Sequence, residues 1–449
     1  MRDELLNVGE LAVKHAEKHG VTQAEAFVEL RKSIEITVED SIVRSVSLNN
    51  DRGCGLRSFL DRKTGYSYVT TLDSKDVLNA VESSIRLAKV ATPDQHFLSL
   101  PELSDHFSDI RGLFDTKIES TSSDDASQLI LRAVSACQDV LQGRNPKIAG
   151  YLRITDTSRA IANSLGIACF ARSSLVSLEL DATIRSGHDQ ANSFDEQHSC
   201  SVSGIDSEEI GRTAGERSVG MLGAKPMESG TMPVVLSPTA FGFLLKMGIA
   251  EALKASNVQS EQSFLQDHLG TEIGSDRLTL YDDGLKEGGI YSCPFDAEGT
   301  PSSKTPLIRK GVLESYLHDS YTANKGGVVN TGNAGRNTYR DKPGISSTNL
   351  VVTPGKGLED ELISEIRRGV LCRFSADRPD RISGDLSAVV MEGHFIENGE
   401  IAHPLSNTIF SINAVDLLRQ IVRIGGDVEV TELAVSPTIL VENVRVTSG

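Results

Sequence analysis

The residues best suited to acid-base chemistry sit in the second half of the chain. PFDAEGTP (294–301) places Asp296 and Glu298 near a turn, GVLESYLHDSYTANK (311–325) sets His318 beside Asp319, and His394 stands just before FIENGEI (395–401). Carboxylates and imidazoles exchange protons in catalysis when their pKa values suit the task and they come within hydrogen-bond reach. Gathered in one pocket, Asp296, Glu298, His318 and His394 could serve acid-base chemistry together. Left apart, they are turn and loop groups satisfied by backbone, and sequence alone leaves that choice open.

Metal chemistry has a more specific signature. A zinc peptidase commonly carries two histidines about one helical turn apart with a glutamate beside them; the histidines hold the ion and the glutamate activates its water. The helix within VVLSPTAFGFLLKMGIAEALKASN (234–257) offers Lys246, Glu251 and Lys254 as its polar residues and has no histidine. An ammonium repels a divalent cation, so Lys246 and Glu251 read as a pair or as groups running to the helix edge. GHDQANSFDEQHSC (187–200) holds His188, His198 and Cys200 but is rich in turn formers between strands, and reads as a hairpin tip rather than a metal site. GGVVNTGNAGRNTYRDKPG (326–344) lacks both G-x-x-x-x-G-K-S/T and G-x-G-x-x-G, so it is a shaped loop rather than a nucleotide cradle.

The elements that must position these groups follow from periodicity. Leu5, Val8, Ala12 and Ala16 predict an amphipathic helix over 3–19, stopped at Gly20. Ser33 to Glu39 alternates as a half-buried strand pairing with Ile42 to Ser47; 53–60 and 65–72 form a hairpin across DRKT. Ser74 is expected to cap a helix, 92–123 to run irregularly over the surface, and 124–142 to form a second long helix. Strands return from Ile148 to Arg185, a helix covers Ser207 to Leu222, and the Gly- and Pro-rich stretch 223–233 is the expected boundary between domains 1–223 and 232–449. Beyond it Ser237 and Pro238 start a helix whose residues Ala240 to Leu253 leave no continuous polar face, which predicts a buried, central helix. A short helical piece over Ser263 to Leu269, a strand at Leu278 to Tyr281, a hairpin at Asn398-Gly399, a helix over Val415 to Val422 and a last strand at 438–446 complete an α+β fold, with a helix-packed antiparallel sheet first and a β-rich domain second.

Composition narrows the partners. The formal charge of -17 opposes attraction to phosphate backbones and anionic membranes, and no basic cluster offsets it, so direct nucleic-acid or membrane binding is not expected. The N-terminus has no apolar h-region, no stretch approaches 18 apolar residues, and the six cysteines form no C-x-x-C pair; a cytoplasmic chain with reduced thiols is expected.

Several stretches in order resemble the TldD/PmbA family, also described as modulators of DNA gyrase: GCGLRSF (53–59), NSLG (163–166), VVLSPTAFGFLL (234–245), PFDAEGTP, GVLESYLHDSYTA, NTGNAGR (330–336), NLVVTPG (349–355), SGDLS (383–387), IENGEI with His403-Pro404, and LLRQIVRIGGDVEV (417–430). The resemblance implies a two-domain fold assembled as dimers around an enclosed cavity. In TldD-type members the helix matching 238–254 carries H-E-x-x-x-H, a cysteine follows downstream, and the protein is a zinc peptidase. Here Lys246, Met247 and Glu251 stand at the three motif positions, and 425–449 contains no cysteine. The chain is therefore similar to the PmbA (TldE) type: no metal of its own, zinc expected only in a TldD-type partner subunit, and a homodimer when alone. In that family the complex acts on unfolded or small peptides, including maturation of a peptide antibiotic precursor and degradation of an antitoxin. A peptidase active by itself, or a homodimeric regulatory protein, are the alternatives.

Overall fold

The computed structural model describes residues 1–104 and 106–449. Helix α1 (Arg2–Lys18) is followed by β1 (Gln23–Glu39), β2 (Ile42–Leu60), β3 (Lys63–Val69) and α2 (Ser74–Val90). After an irregular stretch come α3 (Ser123–Val140), β4 (Lys147–Asn163), β5 (Ala168–Ser186), β6 (Asp189–Ser199) and α4 (Ser207–Gly220). The six strands form one antiparallel sheet in the order β3-β2-β1-β4-β5-β6. Because strand side chains alternate between faces, one face can be wholly apolar. The α1 and α2 residues Leu5, Ala12, Val77 and Val81 pack on Ala26, Val28 and Leu56 at one end of that face, while Ile130, Val134 and Ile210 of α3 and α4 pack on Ile154, Leu178 and Leu180 at the other.

Three local expectations are corrected. β1 begins at Gln23, ten residues before the alternating stretch at Ser33. The first half was unreadable because both of its faces are covered: Ala24, Ala26 and Val28 meet the helices, while Glu25 and Glu29 are buried on the other side. Asp73, not Ser74, caps α2, its carboxylate accepting from the Lys75 and Asp76 amides. The stretch 187–200 is no hairpin tip but the edge strand β6, with only Gly187 and His188 in the turn. At roughly 3.3 Å per residue this sets His188 and His198 some 30 Å apart, so they share no metal.

The second half opens with β7 (Gly230–Leu236), α5 (Pro238–Leu244), a π-helical turn (Leu245–Ile249), α6 (Ala250–Ala252) and α7 (Ala255–Val258). It continues through β8 (Leu280–Asp283), β9 (Lys304–Arg309), β10 (Val312–Leu313), α8 (Ser320–Gly326), β11 (Ala334–Gly335), β12 (Gly344–Ile345), β13 (Leu350–Val352) and α9 (Glu359–Ser364). Last come β14 (Arg368–Phe374), β15 (Asp385–Val389), β16 (Glu392–Glu397), β17 (Glu400–Pro404), β18 (Thr408–Asn413), α10 (Ala414–Arg419), β19 (Ile421–Ile424), β20 (Glu429–Val430), β21 (Val435–Ser436) and β22 (Ile439–Ser448). One sheet runs β15-β18-β22-β7-β14-β16-β17, with β19 also on β22; another runs β10-β9-β8-β13-β21-β20, and β11 pairs with β12. Phe241, Leu244, Leu245, Ile249 and Leu253 of the central helix join residues of both larger sheets in the main core, as an all-round apolar helix should. Residues 263–269 are turns rather than a helix: Ser263 Oγ bonds the Ala252 carbonyl and the Leu265 amide, a local competitor of helical bonding.

The halves meet along the uncovered face of the first sheet, where Phe27, Ile161, Ile167 and Cys169 pack against Phe295 and Tyr339. Gly53 and Gly55 explain the GCG run there: a Cβ on Gly53 would lie 2.3 Å from Tyr339 Cε2, and one on Gly55 would lie 2.3 Å from the Tyr339 carbonyl oxygen. The six cysteines are free thiols, and no helix among the described residues is long and apolar enough to cross a membrane.

Candidate functional site

The central helix starts where β7 ends. Ser237 Oγ accepts from the Ala240 amide at 3.1 Å and donates to the Arg373 carbonyl at 2.7 Å, which ties the helix start to β14. Eight residues on, the backbone loosens by one residue, and the Ala250 amide bonds the Leu245 carbonyl. Such an i to i+5 turn absorbs one extra residue, so side chains five apart come onto a common face, as those four apart do in an ordinary α-helix. Lys246 and Glu251 are five apart. Gly248 sits in the same turn with Pro379 against it, 2.5 Å from where a Cβ would be.

Lys246 Nζ donates to the carbonyls of Ser347 and Thr348 at 3.3 and 3.4 Å and stands 4.5 Å from the centre of the Tyr291 ring. Burial lowers its pKa, and the neighbouring Asp282 carboxylate opposes that. Asp282 is itself pushed up to about 6 by burial, against the hydrogen bonds it accepts from Asn333 Nδ2 and the Thr348 amide, both 2.6 Å. Tyr291 donates to Glu432 at 3.2 Å, and Glu251 is paired with Lys254 at 2.6 Å. Met247 is half-buried. A resident zinc would need two or three neutral nitrogen, thiolate or carboxylate donors free to turn toward it. An ammonium already bound to two carbonyls, a thioether and a carboxylate already holding a lysine do not fit that ion.

Two of the four acid-base candidates, Asp296 and Glu298, are joined by a hydrogen bond, and His318 lies two residues before the Ser320 that Glu298 binds. Both oxygens of Asp296 accept backbone amides, from Glu298 at 2.9 Å, Thr300 at 3.0 Å and Ala334 at 3.0 Å. Burial, with the charge of Glu298, pushes the Asp296 carboxyl up to about 8. Glu298 accepts from Arg57 at 2.9 Å and from the Ser320 amide and hydroxyl at 3.1 and 2.5 Å. His318, two residues earlier, is buried and bonds Thr331 through its backbone, leaving Nδ1 without a hydrogen-bond partner among the described residues; burial lowers its pKa and favours neutral imidazole. His394 lies elsewhere, on β16 against Gly220 of α4, its pKa lowered by burial and by Arg373. The four do not form one constellation, and Asp296 and Glu298 spend their lone pairs on structure.

Arg57 binds Glu25 as well as Glu298, and Arg336 from the glycine-rich loop completes the network on Glu25. Burial alone would raise the Glu25 pKa; the two guanidiniums outweigh it and hold the carboxyl below its usual range. Sequence reading missed Glu25, Arg57, Arg336, Asp282, Tyr291 and Glu432. Glu25 and Glu29 amid Ala, Phe and Val were the one available signal, because a charge in a strand with apolar neighbours on its own face needs a buried partner.

A cleft of about 400 Å³ opens between the halves at the start of the central helix, lined by Asp195, Arg217, Arg373, Glu392 and Glu429 among others. Burial raises Asp195 to about 7 despite Arg217 at 3.2 Å, and one oxygen of the buried Glu392 has no partner among the described residues.

An antiparallel helix-packed sheet docked onto a β-rich domain with a buried central helix is a fold that solved structures share. The putative modulator of a DNA gyrase from Thermotoga maritima superimposes with a TM-score of 0.88 over 98% of this chain and 99% of that one, at 25% identity. TldE from Thermococcus kodakarensis shares the fold at a TM-score of 0.91, with the same coverages and 23% identity. The chain belongs to the PmbA/TldD metallopeptidase family: residues 24–88 match the PmbA/TldA metallopeptidase domain 1, 116–222 the central domain and 229–448 the C-terminal domain. Among relatives, metalloprotease PmbA of Escherichia coli O157:H7 is 25% identical over 90% of this chain and 88% of its own length. A metalloprotease TldD homolog of Haemophilus influenzae is 25% identical over 89% and 85%.

Proposed function

We propose that this chain is the PmbA/TldE-type subunit of a cytoplasmic peptidase, holding no zinc at the central helix and acting with a TldD-type subunit that supplies it. The observation that carries the reading is Lys246. Its ammonium occupies, on the turn that brings positions five apart together, the place where the H-E-x-x-x-H pattern of TldD-type members would put the first histidine. The carboxylate of Glu251 is neutralised by Lys254 instead of facing a metal.

In this role the chain contributes enclosure and orientation. A chamber closed by two subunits admits extended rather than folded segments, which confines cleavage to unfolded or small peptides and holds them near the partner's ion. A peptidase working alone is less well supported, because His394 lies apart from Asp296, Glu298 and His318 and the two carboxylates are engaged. The charge of -17 disfavours direct DNA contact.

The test is hydrolysis of an unfolded protein by this chain alone, by a TldD-type partner alone and by the mixture, each with and without chelator. Activity confined to the mixture or much enhanced there, and lost on chelation, is expected. Chelator-sensitive cleavage by the isolated chain at the rate of the mixture overturns the reading.

A further inference from the structure

The face of the first sheet farthest from the central helix carries a set of donors that the peptidase reading does not use. His15 and His19 lie one turn apart at the end of α1, and Glu82 projects from the neighbouring α2. Among the described residues they are the one group of three histidine, cysteine or carboxylate side chains whose ligand atoms all lie within 4.8 Å of one another.

The protonation pattern suits a metal. His19 Nδ1 stands 2.8 Å from the His15 carbonyl oxygen. A carbonyl only accepts, so Nδ1 carries the proton and Nε2 is left with its lone pair. This is the arrangement in which a ligating histidine is oriented by backbone. His15 Nε2 is buried, has no hydrogen-bond partner among the described residues, and lies 3.6 Å from Glu82 Oε1. Donors about 2.0–2.1 Å from a tetrahedral zinc are roughly 3.4 Å apart, so His15 and Glu82 are already near ligating separation. His19, exposed and at the helix end, closes the rest by tilting its ring about the Nδ1–carbonyl bond. The carbonyls of the last helical turn add negative potential that favours a cation there. Arg86, 3.9 Å from Glu82, and Lys18 in the last turn of α1 are the competing charges.

We propose that His15, His19 and Glu82 form a binding site for one zinc-class divalent ion, with water in the fourth position, clamping α1 to α2. It is independent of the zinc that the partner subunit would supply.

The full-length chain, free of any affinity tag, is titrated with zinc by calorimetry and with cobalt(II) by visible absorption, alongside His19→Ala and Glu82→Gln. His19 is exposed, so its replacement leaves the fold intact. One ion per chain, with tetrahedral cobalt bands and at least a tenfold loss of affinity in both variants, is expected. No saturable binding, or binding unchanged in His19→Ala, overturns the site. Peptide hydrolysis by the isolated chain that survives in His19→Ala would count against the partner-subunit reading alone.

Discussion

Arg336 and Glu25, 311 positions apart in sequence, form an ion pair with no solvent exposure on either side chain, and it joins the glycine-rich loop of one half to the first strand of the other. Replacing Glu25 by Ala leaves the buried Arg336 guanidinium without a carboxylate and takes from Arg57 one of its two, Glu298 remaining. Breaking a buried pair by removing one partner costs about 3–5 kcal/mol, more than the pair contributes relative to an apolar substitute. The expected result for Glu25→Ala is a loss of that size in urea unfolding, with the two halves beginning to unfold separately. A loss under about 1 kcal/mol would mean that water reaches the network and that it does not hold the halves together.

The same seam leaves no room for a side chain at Gly53. An added Cβ would lie 2.2 Å from the Val69 carbonyl oxygen and 2.3 Å from the Tyr339 ring, which is itself fully buried. Overpacking of this kind costs about 1–3 kcal/mol. Gly53→Ala should lower the melting temperature, and Gly53→Ala with Tyr339→Ala should recover part of the loss that the two single changes sum to. Strict additivity would show that the clash with β3 backbone, not Tyr339, sets the cost.

Asp195 gives the cleft a pH signature. Its carboxyl has a pKa of about 7 in the fold, against 3.8 ordinarily, mainly through burial and despite Arg217. Between those values the folded chain holds a proton that the unfolded chain has released, so stability falls as pH rises through this window and levels off above 7. At about 1.4 kcal/mol per pKa unit the decline attributable to this group is at most about 4 kcal/mol. Urea midpoints from pH 4.5 to 8 should show a shallower decline in Asp195→Asn than in the parent chain; parallel curves would rule out the raised carboxyl.

How much of this was legible in sequence depended on how local the cause was. α1, α3 and the β1–β2 pairing follow from periodicity, because one face of each meets the core and the other meets water. The first half of β1 did not, since Glu25 and Glu29 lie on a face that only the second half of the chain covers. The acid-base candidates were found as residue types, and whether they converge was left open: Asp296 and Glu298 bond backbone amides and Arg57, and nothing local separates a catalytic carboxylate from one that holds a loop to Arg57. The π-helical turn left no readable mark either. Gly248 permits the approach of Pro379, but neither residue announces a changed hydrogen-bond register.

That turn carries the strongest test of the central helix. Five residues of regular α-helix advance about 140° past a full turn, which would point positions 246 and 251 in different directions. The turn over Leu245–Ile249 reduces that mismatch, as a two-histidine site at 246 and 251 would require. Lys246→His with Met247→Glu and Glu251→His should then bind zinc at least tenfold more tightly than its parent, both compared in a His19→Ala background so that the α1–α2 site is silent. Asp282 stands beside the position as a further carboxylate. Equilibrium dialysis with metal analysis measures the gain. An unchanged affinity would show that 246 and 251 do not face a common point, and with it the reading of Lys246 as the occupant of a lost histidine position would fail.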